Sequence, residues 1–193
     1  MKVEIFQDIT FSINEQNLKE ALKLRERLKL DDLVSELISN AEKIAKPKAI
    51  YTKLQSSVDR KNGQVFILDK VFHSKVLAES IEDTTNVFPY IITCGMEIEE
   101  WSQSIDDIME QYIVDGIKAQ ILFESTEYIS QKIKETNNLE SLVYHIPGFL
   151  DDWPIYEQKE LFSIFGDKTQ EIQVYLTESS LMRPTKSVSG IYY

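Results

Sequence analysis

The apolar positions of the first third of the chain change period more than once. Val3, Ile5, Ile9, Phe11 and Ile13 alternate loosely among polar residues, which predicts an opening strand within 1–13. From about position 15 to 45 the spacing becomes helical, carried by Leu18, Leu22, Leu24, Leu28, Leu30, Leu33, Leu37, Ile38 and Ile44. Ser12 or Asn14 is placed to cap that helix, because a side-chain oxygen satisfies free N–H groups at a helix start. Asp31-Asp32 predicts a break and a second start, since acids favour helix N-termini, and Pro47 ends the segment. Ala49, Ile50, Tyr51 and Leu54 mark a strand over 48–57. Asp59-Arg60-Lys61-Asn62-Gly63 reads as a turn with Asn-Gly at its tip, and 64–72 as the returning strand. A short helix is expected over 75–81. A buried strand over 87–93 then stops at Cys94-Gly95, where the absent Cβ allows a sharp turn.

The second half begins with helices over 97–104 and 105–134. Ile113, Ile117, Ile121, Tyr128, Ile129 and Ile133 form one apolar stripe, with Asp106, Asp107, Glu110 and Glu127 off it. Gly116 within the stripe costs about 1 kcal/mol relative to alanine, which the close approach of another backbone would justify. Thr136-Asn137-Asn138 closes the helix. A short strand over 142–144, a helix over 155–165, a strand over 172–176 and a final strand over 188–193 complete the pattern. The class is α+β, strands mixed with a helical layer. No repeat or low-complexity segment divides it, so 1–193 reads as one domain: a strand-plus-helix segment over 1–47 and a main body over 48–193.

With 42% apolar residues the chain can bury a real core. A formal net charge of −11 repels phosphate, which disfavours nucleic acid and anionic membranes but permits docking on a basic protein face. The single cysteine, Cys94, excludes an internal disulfide and a cysteine-rich metal site, and fits a reducing compartment. With no apolar run of membrane-spanning length and no signal-peptide core at the N-terminus, the expected location is cytoplasmic.

Side chains with obvious chemistry are few. His73 and His145 share no metal-ligand spacing; His73 reads as solvated at a strand end, and His145 adjoins the Pro147-Gly148 corner. Cys94 reads as a small buried hydrophobe, with a helix-activated nucleophile as the alternative. Glu97, Glu99, Glu100, Asp106 and Asp107 read as a solvated face, with a cation site as the alternative. No glycine-rich phosphate loop and no Gly-x-Ser-x-Gly elbow is present.

Turn formers and small hydroxyl residues instead concentrate near the end: Ile146-Pro147-Gly148-Phe149, Asp152-Trp153-Pro154, Gln158, Leu176-Thr177-Glu178-Ser179, Met182-Arg183-Pro184 and Ser187-Val188-Ser189-Gly190. Pro147-Gly148 fixes one φ and frees the next, so main-chain groups can approach a ligand. Phe149 offers a flat apolar wall, Glu178 a carboxylate for hydrogen bonds or a sulfonium, and Ser187 and Ser189 two hydroxyls on one face of an extended strand. A tight turn beside a hydroxyl-rich edge strand is the plainer reading of the same residues.

In order and spacing these segments resemble the activation (reactivation) domain of cobalamin-dependent methionine synthase. Ala45-Lys46-Pro47-Lys48-Ala49 and Thr93-Cys94-Gly95 resemble stand-alone members of that group. The resemblance implies a C-shaped, twisted antiparallel sheet with flanking helices and an S-adenosylmethionine groove near the Pro-Gly turn. It implies a partner carrying the cobalamin, a corrinoid-binding protein or methyltransferase, and a flavodoxin-type electron donor. The groove residues it implies are Tyr144, Pro147, Gly148, Phe149, Glu178, Ser187 and Ser189. The corrinoid carries out the bond-making in such a system, and the domain positions the methyl donor.

The chain departs from the family twice. Where the family has an arginine three residues before the proline, gripping the ligand carboxylate, this chain has Tyr144, which offers one phenol donor and no charge. Losing a charge pair of about 1.5–3 kcal/mol weakens binding by roughly one to two orders of magnitude. The family's Tyr-Tyr pair follows the Ser-Val-Ser-Gly strand at a distance that Tyr192-Tyr193 does not match. The expected function is an accessory or subunit of a cobalamin-dependent methyltransferase, supporting S-adenosylmethionine-dependent reactivation of a corrinoid. The alternatives are a cap module that binds the corrinoid protein without the methyl donor, and an unrelated small-molecule enzyme using the same cleft.

Overall fold

A computed structural model describes residues 1–24 and 28–193. Arg25, Glu26 and Arg27, and the side chains of Leu28 and Lys29, lie outside the described part, and with them one position of the N-terminal apolar stripe. In chain order the elements are β1 (Val3–Phe6), α1 (Glu15–Ala21), α2 (Leu28–Ile44), β2 (Lys48–Thr52), β3 (Leu54–Asp59), β4 (Gln64–Ile67), β5 (Lys70–His73), α3 (Lys75–Ser80), β6 (Asn86–Thr93), α4 (Met96–Gln103) and α5 (Ile108–Asn137). There follow β7 (Tyr144–His145), a 3₁₀ turn (Ile155–Glu157), α6 (Gln158–Phe165), a 3₁₀ stretch (Gly166–Ile172), β8 (Tyr175–Leu176), β9 (Met182–Arg183) and β10 (Ser187–Tyr192).

Every strand pairing is antiparallel. β6 is the spine: β2 and then β3 run along one edge, β10 runs along the other, and β7 pairs with the far end of β10. β1 extends the sheet beyond β2, and β4 and β5 extend it beyond β3. Period-two alternation along β6 supplies both faces. Phe88, Tyr90 and Ile92 pack with Ile129 and Ile133 of α5. On the other face, Ile91 meets Phe165, Ile172 and Val174, and Val87 joins Trp153 and Leu161. A further cluster lies among the helices, where Leu18, Val34, Leu37, Ile38 and Ala41 pack on Ile98, Ile113, Ile117 and Ile121. Each such buried aliphatic or aromatic side chain contributes about 1.5–3 kcal/mol. Helix α5 belongs to both regions, its first half to the helical cluster and its second to the sheet face.

Several local expectations change. The helical break comes earlier than Asp31-Asp32: α1 ends at Ala21, and Asp31 lies in the first turn of α2, where its carboxylate meets Lys19 at 2.7 Å. Asn14 caps α1, accepting from the Asn17 N–H. The strand over 48–57 is two strands that part at Lys53, and Pro89 of β6 stands at the level of that break, where the ladder on that side is interrupted. The strand over 64–72 is a hairpin instead, turning at Leu68-Asp69 with Leu68 at φ +56°. Ile172 ends the 3₁₀ stretch, so the strand over 172–176 shrinks to Tyr175 and Leu176. Gly116 faces side chains, not backbone: a Cβ there would come within 2.9 Å of Leu22 and 3.1 Å of Leu18. Among the described residues no helix is long and apolar enough to cross a membrane.

Candidate functional site

Strand β7 leads directly into a four-residue turn. Phe149 N–H donates to the Ile146 carbonyl at 3.1 Å, with Pro147 and Gly148 between them and Gly148 at φ +87°. Proline at the second position and a positive-φ glycine at the third are what a type II turn requires. Gly148 N–H donates to the Trp153 carbonyl at 2.7 Å, which ties the turn to the segment leading into α6. Trp153 is fully buried, and its ring lies edge-on to Phe72 at 6.0 Å, so the corner rests on the sheet's core.

The turn forms one wall of a cleft of about 310 Å³. Ile146, Pro147, Phe149 and Ile155 line it together with Gln158 of α6 and with Leu181, Met182, Arg183, Thr185, Ser187 and Val188. Phe149 is 83% exposed, so its ring is open to a ligand. Of the residues expected at the site, Pro147, Phe149 and Ser187 line the cleft, and Gly148 holds the turn that shapes it. Ser189 is fully buried and donates to Gln158 Oε1 at 3.2 Å. The Ser187 hydroxyl donates to the Pro184 carbonyl at 2.8 Å and lies 2.8 Å from Thr93 Oγ1. Both serines thus brace the cleft wall. Tyr144 stands outside the lining, half-exposed, with its ring edge-on to Tyr192 at 5.8 Å. Glu178 is exposed in the tight turn between β8 and β9 and is also outside the lining.

The cleft is held by two polar networks, centred on Gln158 and on Glu99, whose pairings the sequence did not reveal. Gln158 is buried; its amide nitrogen donates to the Ser180 carbonyl while its oxygen accepts from Ser189, so one side chain joins the β8–β9 hairpin to β10. The other network centres on Glu99, expected on a solvated face but 4% exposed. Lys118 Nζ donates to Glu99 Oε2 at 2.6 Å and to Ser102 Oγ at 3.0 Å. Thr185 adds its hydroxyl to Oε2 at 2.9 Å and its N–H to Oε1 at 3.2 Å. Burial pushes the Glu99 carboxyl upward, but Lys118 and Thr185 together outweigh it and hold the group below the usual carboxylate range. Arg183 approaches the same carboxylate at 3.6 Å. Glu97 is likewise paired, to Lys48 at 2.8 Å. No cluster of three or more potential metal ligands occurs among the described residues.

The remaining candidates have structural partners. Cys94 is fully buried, and its thiol is pushed up to about 12 by burial, far from a reactive thiolate. His73 is exposed, yet its Nδ1 lies 3.0 Å from Glu157, which also accepts from the His73 N–H and from Trp153 Nε1. His145 Nε2 lies 3.2 Å from Ser80 Oγ, and burial lowers its pKa, favouring neutral imidazole. Asp152 accepts from the Ser74 hydroxyl at 2.6 Å and from the N–H groups of Lys75 and Val76 at 2.6 and 3.2 Å. Those bonds overcome burial and lower its pKa. A second cleft, about 470 Å³, lies between α1 and α5 around Leu18, Leu22, Gly116 and Phe123; it contains none of the turn and hydroxyl segments described above.

No protein-family model matches the chain. No curated protein matches it by sequence. Among solved structures the chain is similar to the MetH reactivation domain, solved bound to AdoHcy, with a TM-score of 0.72 and 13% identity. That alignment covers 100% of this chain and 78% of the other. The fold, an α+β architecture around an antiparallel sheet with flanking helices, is that of the MetH reactivation domain.

Proposed function

We propose that this chain belongs with the activation domains of cobalamin-dependent methionine synthase and serves such a methyltransferase system as an accessory or subunit. In this reading it holds an S-adenosyl ligand in the cleft beside the Pro147-Gly148 corner, while a partner protein carries the corrinoid and a flavodoxin-type protein supplies the electron. The observation that carries the reading is the combination of that fold over the full chain with a cleft built from the corner's own residues. The AdoHcy of the solved MetH domain points to the same class of ligand.

The residues fit such a ligand. The exposed Phe149 ring is a face for a flat base, and Ile146, Pro147 and Ile155 give it an apolar bed. S-adenosylmethionine supplies the methyl group when bound; the chain's own part is to place and orient it, a proximity effect. Isothermal titration with S-adenosylmethionine and S-adenosylhomocysteine tests this: one saturable site is expected, and silence with both removes the ligand.

A second reading has its own observation. Tyr144, standing in place of the family's arginine, does not line the cleft. A cap module that contacts the corrinoid protein without a methyl donor is consistent with that. Pull-down of a corrinoid protein separates the two: capture unaffected by added ligand, together with silent titrations, favours the cap.

A further inference from the structure

We propose that Arg183 is the anchor for an anionic group, a ligand carboxylate, in the cleft at the Pro147 corner. This rests on the S-adenosyl reading of that cleft and names the residue that would grip the amino-acid end of the ligand. Among the described residues, Arg183 is the single charged side chain in the lining; the rest of the wall is apolar or carries amide and hydroxyl groups. In a chain of net charge −11, a lone cation on an apolar cleft is the local exception that selects an anion.

The neighbouring cations are committed elsewhere. Lys118 is buried and donates to Glu99 at 2.6 Å, Lys48 is buried and paired with Glu97 at 2.8 Å, and Lys186 meets Asp115 at 2.9 Å. Arg183 differs. Its nearest carboxylate oxygen is 3.6 Å away, beyond hydrogen-bond length, and its side chain is 44% exposed. The planar donor fork, suited to a bidentate grip on a carboxylate, is therefore unspent. Glu99 keeps Lys118 and both Thr185 donors if the guanidinium turns to a ligand, so the turn leaves no buried charge unpaired. Arg183 thus supplies, from β9, the positive charge that Tyr144 on β7 lacks.

The test uses two ligands that share an adenosyl thioether and differ in the amino-acid tail: S-adenosylhomocysteine and 5′-methylthioadenosine. Arg183→Gln is expected to weaken S-adenosylhomocysteine by roughly 10- to 100-fold and to leave methylthioadenosine within about twofold. Retained methylthioadenosine binding also shows that the cleft is intact. Arg183→Lys, which keeps the charge without the fork, is expected to fall between wild type and the glutamine variant and carries the test if that variant does not fold. Unchanged affinity of the glutamine variant for S-adenosylhomocysteine, or equal losses for both ligands, overturns the anchor and leaves the cleft reading standing. Wild-type protein that binds neither compound overturns both.

Discussion

Gly190 shows how much one missing methyl group can decide. A Cβ there would lie 2.5 Å from the His145 carbonyl oxygen and 2.8 Å from Tyr90 Oη. Backbone cannot yield as a flexible side chain can, so Gly190→Ala should push β7 off β10. The expected cost is about 1–3 kcal/mol in urea unfolding, and, on the proposed S-adenosyl reading of the cleft, weaker ligand binding because β7 feeds the corner. Asp152 makes the pH argument. Its folded pKa is lowered, so its contribution is fully present above the unfolded carboxylate value and is lost as pH falls through the folded one. Asp152→Asn should therefore lose stability at pH 7, by about 0.5–1.5 kcal/mol once solvent screening is allowed for, and urea melts at falling pH should show the gap to wild type closing. At this scale the sequence was legible where a residue type dictates its own backbone: Pro147-Gly148 signalled the turn that forms. The place of Arg183 depends on the short β8–β9 hairpin meeting the 146–155 segment at the cleft, which no local pattern encodes.

Elements with many repeats of one period were the readable ones. Helix α5 declared itself through a stripe of isoleucines, and β6 through a continuous apolar run. The β4–β5 hairpin did not, because its turn is Leu68-Asp69, without glycine or Asn-Gly. Glu100, Asp106 and Asp107 are exposed, as a solvated acidic face requires, but Glu99 is not: it is buried by partners on α5 and on the connection before β10, which a helical wheel of α4 alone does not include. That three-element junction makes its own prediction. Lys118→Met leaves Glu99 without its ammonium partner and should destabilise the fold by about 3–5 kcal/mol. Combining it with Glu99→Leu should restore part of the loss, because neither charge then remains buried alone; chemical denaturation of both single variants and the double one checks this.

For the whole molecule, the α+β class was readable because helical and strand periods segregate along the chain, while the order of strands was not, since β10 joins β6 across a stretch of sequence that holds α4, α5 and α6. The helical cluster and the sheet clusters share α5, so they should melt together. Trp101 packs against the helical cluster and Trp153 sits in a sheet core. In a Trp101→Phe variant the fluorescence of Trp153 should follow the same urea transition as far-UV ellipticity; two separated midpoints would show that the halves unfold independently. The shared helix also acts as a phase ruler. Inserting a single residue near Phe123 would swing everything downstream through about 100°, turning Ile129 and Ile133 away from β6, whereas seven inserted residues come almost full circle and keep them facing it.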